Sequence, residues 1–223
     1  MKKIFLFSAL LVGFMQLLFS QDATLVQNKN RIGLNIGGGG GFNSVPFVKL
    51  TDGTESSLSF GGGTLVQIEF GHEFNRHFDL AFDIGGQFST LDKTINNGSV
   101  EFDRSVMSLT PSYILPIGSG DKMSLKFGAG IDLLYNADLN FDLSKVPGGV
   151  QDDWKYNATV GEHLNIVYEV NLNRRFSFST ALKWHNANYT YKSSGGKSFP
   201  TDNNLKSPDG SGIDFILGVY YHF

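Results

Sequence analysis

The 223-residue chain contains no cysteine, which excludes disulfides, thiol chemistry and thiolate metal sites. Proline is scarce at six residues, and charged residues make up only 17%. Beyond residue 20 no apolar run approaches the roughly 18 residues of a membrane-spanning helix. Basic residues are outnumbered, 18 against 21 acidic, for a net charge of −3. That balance argues against nucleic acid as a partner. Glycine and phenylalanine are abundant instead, with 27 and 20 residues, and they fall in an alternating pattern.

The first twenty residues stand apart. Lys2 and Lys3 precede an apolar run from Ile4 to Leu18, and polarity returns at Gln21 and Asp22 after the small Ser20. This reads as a secretory signal peptide over 1–20, too short and wrongly flanked for a retained spanning helix. Without Lys2 and Lys3 the 18 basic residues become 16 against 21 acidic, a net charge of −5. Residues 21–30 read as a short periplasmic lead, and 31–223 as one barrel domain.

The end of the chain carries the clearest signal. Ile213, Phe215, Leu217, Val219, Tyr221 and Phe223 are all apolar or aromatic, while Asp214, Gly218 and His222 interrupt the even positions. Alternation at period two is a strand with one apolar and one mixed face. Seven earlier segments share that character: 31–42, 61–74, 77–91, 102–115, 122–136, 157–170 and 174–190. Each is long enough for a tilted strand to cross hydrocarbon. Short connections at 75–76, 116–121 and 171–173 alternate with long ones, as in outer-membrane barrels with short periplasmic turns and long external loops. A soluble lipocalin-like barrel has no need of that alternation. The expected fold is all-β, an eight-stranded antiparallel up-and-down transmembrane barrel with both termini periplasmic.

The faces divide accordingly. Phe78, Leu80, Phe82, Ile84 and Phe88 oppose Asp79, Ala81, Asp83, Gly85 and Gln87, and the fifth and seventh segments repeat the scheme. The apolar set goes to lipid, where a charge is costly, and the small or polar set fills the narrow interior. Aromatic rims are expected at Phe42, Phe88, Tyr135 and Trp184 on one side and at Phe74, Phe78, Tyr113, Tyr168, Tyr221 and Phe223 on the other. On these residues the chain resembles the small outer-membrane β-barrel families: the OmpA transmembrane domain, OmpX and the PorT-like barrels. The resemblance covers about residues 31–223. It implies that the row Phe215, Leu217, Val219, Tyr221 and Phe223 serves as the signal read by the barrel-assembly machinery.

Charge collects on the inward side, where Glu69, Asp83, Arg104, Lys126, Asp132, Lys183 and Asp214 form the expected lumen network. Centring the turns on residues 118, 172 and 76 sets Arg104 opposite Asp132, Glu169 opposite Arg175 and Glu69 opposite Asp83. The last is a like-charge pair, unfavourable alone, and Lys126 is expected to lean toward it. The Asn97-Gly98 hairpin signal pairs Gln87 with Ser108. A salt-bridged plug fits so tight a barrel better than an ion path.

No motif for catalysis, cofactor or metal survives inspection. The glycines 37–41 lack a following Gly-Lys-Ser/Thr, and Gly196-Lys197-Ser198 has Tyr191 where a phosphate loop needs its first glycine. They read as small residues making room for bulky lumen neighbours. His72, His77, His163, His185 and His222 form no local pair, and no His is followed two residues later by the Ser that small lipid A deacylases carry. Glu162 points at lipid by strict alternation, which a bulge or a headgroup-level position explains. Loop 137–156 offers Phe141, Leu143 and Trp154, with Val146 and Val150, as contact candidates. Loop 191–211, rich in Ser, Gly, Asn and Asp, is expected to be mobile.

The expected function is a non-enzymatic outer-membrane barrel with a plugged polar lumen and a structural or surface-interaction role through its loops. Its expected partners are outer-membrane lipid and lipopolysaccharide, the assembly machinery, and an unnamed external ligand; no cofactor is expected. The alternatives are a narrow pore or transporter for ions or small solutes, and a lipid-modifying hydrolase.

Overall fold

A computed structural model describes residues 29–50, 53–93, 95, 98–117, 122–146, 151–195 and 203–223. The expected signal peptide, most of the 21–30 lead and Val150 lie outside them. The strands are β1 (Asn30–Gly41), β2 (Val45–Lys49), β3 (Glu55–Leu58), β4 (Gly63–Asn75), β5 (Phe78–Thr90), β6 (Ser99–Ile117), β7 (Met123–Asp142), β8 (Gln151–Tyr156), β9 (Thr159–Asn171), β10 (Phe176–Asn186), β11 (Tyr191–Ser194) and β12 (Gly212–His222). A single helical turn, Asn203–Lys206, precedes β12. The ring β1-β4-β5-β6-β7-β9-β10-β12 is antiparallel throughout and closes where β1 pairs with β12, from Arg31↔His222 to Gly41↔Gly212. These eight strands are the eight expected segments.

Closure removes every sheet edge from the ring, the condition for strands to cross lipid. The outward rows are apolar and open: Leu34, Ile68, Phe127, Leu164, Leu182 and Phe215 are 44 to 55% exposed. In water that belt would be an aggregation surface, whereas in hydrocarbon it meets its own kind. Phe42, Phe88, Tyr113, Tyr168, Tyr221 and Phe223 are exposed at its margins as expected, but Phe78 is buried edge-on against Tyr113 at 5.5 Å. Glu162 does point outward, in unbroken register, where Asn186 Nδ2 donates to it at 3.2 Å. Inside the ring, a Cβ on Gly33, Gly37 or Gly39 would overlap Tyr220, the Phe215 carbonyl or Asp214, while the outward Gly38 and Gly40 meet ordinary contact or open space. The glycine run does make room on the lumen side.

Three registers differ from expectation. The β6–β7 ladder runs through Pro116↔Ser124 to Ile117↔Met123, so each partner shifts by four. Ser108, rather than Arg104, faces Asp132. At the β9–β10 turn, Asn173 Oδ1 accepts from the amides of Arg175 and Phe176, which widens the turn and sets Glu169 opposite Ser179 instead of Arg175. Between β5 and β6, Gln87 faces Arg104 instead of Ser108. Residues past Thr90 turn to β3, with Asp92 N donating to Ser57 O at 2.9 Å and Ser57 N to Asp92 Oδ1 at 2.8 Å. The Ser57 amide holds the Asp92 carboxyl below its ordinary range. The Glu69↔Asp83 register is as expected.

The long connections hold strands of their own. β6 and β7 outrun the ring, β8 pairs with β7 from Ala137↔Tyr156 to Asp142↔Gln151, and β11 pairs with β8. The residues 191–194 expected to be mobile are therefore in a sheet. Asn136 takes a positive φ of 49°, a conformation Asn tolerates better than most residues. It sits in a bulge where the β6–β7 register slips between Asp103 and Ser105. The extra residue switches the inward side of β7 from even positions, such as Asp132 and Leu134, to odd ones, Ala137, Leu139 and Phe141. All of these are buried.

Candidate functional site

The ring encloses a stack of polar tiers. At the end carrying the short turns, Arg31 Nε donates to Glu69 Oε1 at 2.7 Å and its Nη1 forms an ion pair with Asp79 Oδ2 at 2.6 Å. Lys126 Nζ reaches the same Asp79 oxygen at 3.1 Å, Glu169 Oε2 at 2.8 Å and Glu73 Oε1 at 3.4 Å. Lys126 therefore does not lean toward the Glu69–Asp83 pair. The two register shifts on either side of β6 carry it to the level of Asp79, and Arg31 serves Glu69 instead. His222 Nε2 lies 2.8 Å from Ser177 Oγ and 3.5 Å from Glu169 Oε1.

In the middle tier Asn35 Nδ2 donates to Glu69 Oε2 at 3.1 Å and to Asp83 Oδ1 at 3.2 Å. One amide thus mediates between the two opposed carboxylates. Tyr220 OH lies 2.9 Å from Asn35 Oδ1 and 3.1 Å from Glu69 Oε2, with one proton to offer between them. Across the lumen Asp132 Oδ1 gathers Lys183 Nζ at 3.0 Å, His163 Nδ1 at 2.9 Å and Ser108 Oγ at 2.5 Å. His163 Nε2 lies 2.9 Å from Thr110 Oγ1. Hydroxyl, imidazole and carboxylate are chained as in a hydrolase, but Thr110 and His163 are each 2% exposed.

At the end carrying the long loops, Arg104 holds Gln87 Oε1 with two nitrogens, and its Nη1 donates to Phe60 O and Tyr189 OH at 2.7 Å each. Gln87 Nε2 passes the chain to Asp214 Oδ1 at 3.0 Å, and His185 Nδ1 meets Asp214 Oδ2 at 3.2 Å. Above this tier the lining turns aromatic. Phe60 stands edge-on to Phe102 at 4.7 Å, Phe102 to Tyr189 at 5.4 Å and Phe141 to Trp154 at 5.0 Å. Burial there pushes the Tyr156 phenol well up. Phe141 and Trp154 are each 6% exposed and Leu143 packs against the same cluster. They are not free contact residues, because β7 and β8 pair and turn that face inward.

Glu69, Arg104, Lys126, Asp132, Lys183 and Asp214 are all buried inward, and Asp83 is half-buried there. The sequence reading missed Arg31, Asp79 and Tyr220 as partners, and gave Glu169 the partner Arg175 where Lys126 stands. Inward parity was the signal that could have found them. Phe215, Leu217, Val219 and Tyr221 form one exposed outward row on β12, and the exposed Phe223 follows it directly. Among the described residues no group of three or more His, Asp or Glu could hold a metal ion.

Neither a protein-family model nor a curated protein sequence matches the chain. Solved structures do. The chain is similar to the outer membrane protein OprG of Pseudomonas aeruginosa, with 17% identity, 91% of this chain and 99% of that one covered, and a TM-score of 0.58. It is also similar to the Neisserial surface protein A, with 12% identity, 87% and 97% covered, and a TM-score of 0.50. Likeness at these identities is likeness of fold. The fold is that of the small eight-stranded outer-membrane β-barrels.

Proposed function

We propose that the chain is a non-enzymatic outer-membrane barrel with a closed lumen, acting as a structural or surface-interaction protein through its loop end. The observation that carries this is the double closure: ion-paired side chains span the ring at Asp79 and Asp132, and the loop-end mouth is filled by Phe60 and its aromatic neighbours. Outer-membrane lipid and lipopolysaccharide cover the belt, and the termini lie on the periplasmic side. The architectural resemblance to the OmpA, OmpX and PorT-like barrels supports reading the outward row of β12 as the segment that engages the assembly machinery. Sealing of Thr110 and His163 from any substrate supports the absence of catalysis. A narrow pore is the second reading, favoured by the half-buried Asp83, which has no cation partner within salt-bridge distance among the described residues. Planar-bilayer recordings of the refolded chain decide between them. A closed barrel gives no steady openings, and steady cation-selective openings would favour the pore.

A further inference from the structure

The loop-end mouth is covered by a short segment whose backbone is held by side chains of the ring. Three successive carbonyls of residues 59–61 are each gripped from a different strand. Ser89 Oγ on β5 donates to Ser59 O at 2.7 Å, Arg104 Nη1 on β6 to Phe60 O at 2.7 Å, and His185 Nε2 on β10 lies 3.0 Å from Gly61 O. Phe60 is 1% exposed within the aromatic cluster. The segment ends at Gly63, whose φ of +114° only glycine adopts easily. A Cβ on Gly61 would overlap the Ser211 backbone, so the cover fits closely where it lies.

His185 differs from the other two grips. A carbonyl oxygen and a carboxylate can only accept, and the ring faces Gly61 O with Nε2 and Asp214 Oδ2 with Nδ1. Both contacts are attractive together only when both nitrogens carry hydrogen, that is, when the ring is the imidazolium. The neutral ring keeps one of them and turns a lone pair on the other acceptor. The charged and titratable groups around it are Asp214 on β12, His163 directly opposite on β9, Lys183 two residues along β10, Arg104 on β6, which reaches Asp214 through Gln87, and Asp209 before β12.

We propose that segment 59–62 is a releasable cover on the loop-end mouth, latched by the protonated ring of His185 and loosened when that ring gives up its proton. The latch is set where that ring holds both protons and weakened where it holds one. Release uncovers the aromatic chamber of Phe102, Tyr156 and Tyr189, while the ion-paired tiers beneath stay shut. The latch and the closed-barrel reading therefore have separate readouts, since conductance reports the tiers and access to the chamber reports the cover.

The absence of cysteine makes a single introduced thiol specific. Ala187 is 4% exposed in the same cluster as Phe60, so Ala187→Cys places a thiol behind the cover. Its labelling by a membrane-impermeant maleimide is followed in the refolded full chain from about pH 5 to about pH 8, the span of histidine titration. Each rate is divided by that of the same thiol in the urea-unfolded chain at the same pH. The corrected rate is expected to rise about tenfold across that span, the scale on which losing a hydrogen bond to a charged group shifts an equilibrium. Adding His185→Phe should give the fast rate at every pH. Adding Asp214→Asn, which removes the carboxylate that favours the imidazolium, should move the step to lower pH. A corrected rate that stays flat overturns the latch, as does a His185→Phe variant that keeps the parent's step. If His185→Phe fails to insert, judged by heat-modifiable gel mobility, Asp214→Asn decides, and a step at unchanged pH overturns the proposal.

Discussion

The polar tiers and the aromatic chamber above them close the same barrel by opposite means. In the tiers a few charges span the ring with defined partners, so order comes from which atom faces which. In the chamber Phe60, Phe102, Leu139 and Tyr189 fill volume, each 0 or 1% exposed, so order comes from shape. A buried ion pair adds little over apolar packing, but removing one partner strands the other at high cost. An apolar cluster tolerates changes of chemistry and resists loss of volume. The two regions should therefore fail differently when altered.

The largest effect is expected at Asp79. Its side chain is fully buried, and one of its oxygens serves both Arg31 and Lys126. Asp79→Asn keeps the volume and removes the charge, and it should cost about 3–5 kcal/mol because two cations lose a shared partner. Urea-unfolding midpoints of the barrel refolded in lipid vesicles measure this. A near-parental midpoint would mean that the tier is held by packing, like the chamber.

Leu139 supplies the opposite case. Leu139→Ala should cost about 2–5 kcal/mol through lost burial and a cavity, whereas Leu139→Met should stay below about 1.5 kcal/mol. Protease resistance of residues beyond the ring is the sensitive readout, because these strands extend past the lipid belt. If Met proves as damaging as Ala, shape is not what orders the chamber.

Tyr189 belongs to both regions. Its ring packs on Phe102 and its hydroxyl accepts from Arg104. Tyr189→Phe keeps the ring and should cost about 1.5–3 kcal/mol, the contribution of a hydrogen bond to a charged group. Tyr189→Leu should add a packing loss to that. Equal unfolding midpoints for the two variants would place Tyr189 in the chamber alone.

Much of this was legible in the sequence, for an identifiable reason. Alternation along a strand is local, so the eight strands, their two faces and the inward residues Glu69, Lys126 and Asp214 could be assigned from spacing. Pairing across the lumen is not local. It depends on the turns, and Pro116, assigned to the connection 116–121, instead lies within the β6–β7 ladder. That shift, with the one between β5 and β6, gave Lys126 a different partner. Long side chains such as Arg31 then reach beyond their facing residue, to Asp79 as well as Glu69. The loop-end strands were legible in part. Leu139 and Phe141, and Trp154 and Tyr156, already alternate, but Leu139 and Phe141 do so on the parity opposite to the lumen row of β7.

Asn136 marks that change of parity and gives the smallest and most local prediction. In an unbroken strand the odd positions of β7 would continue the lipid-facing row, leaving Leu139 and Phe141 outward beyond the belt, with no apolar surface to cover them. The bulge turns them into the chamber instead, so the φ of 49° at Asn136 lies between the two regions. A residue with a branched Cβ resists that φ at a cost of about 1–2 kcal/mol, while glycine adopts it freely. Asn136→Gly should therefore match the parent within a few tenths of a kcal/mol, and Asn136→Val should lower the stability of the loop-end sheet. Hydrogen exchange of the amides of 137–142 and 151–156, set against those of the ring in the same molecule, separates these effects. Faster exchange in the Val variant confined to the extension is the expected result. Equal protection in the Val and Gly variants would show that the positive φ does not set the parity of β7.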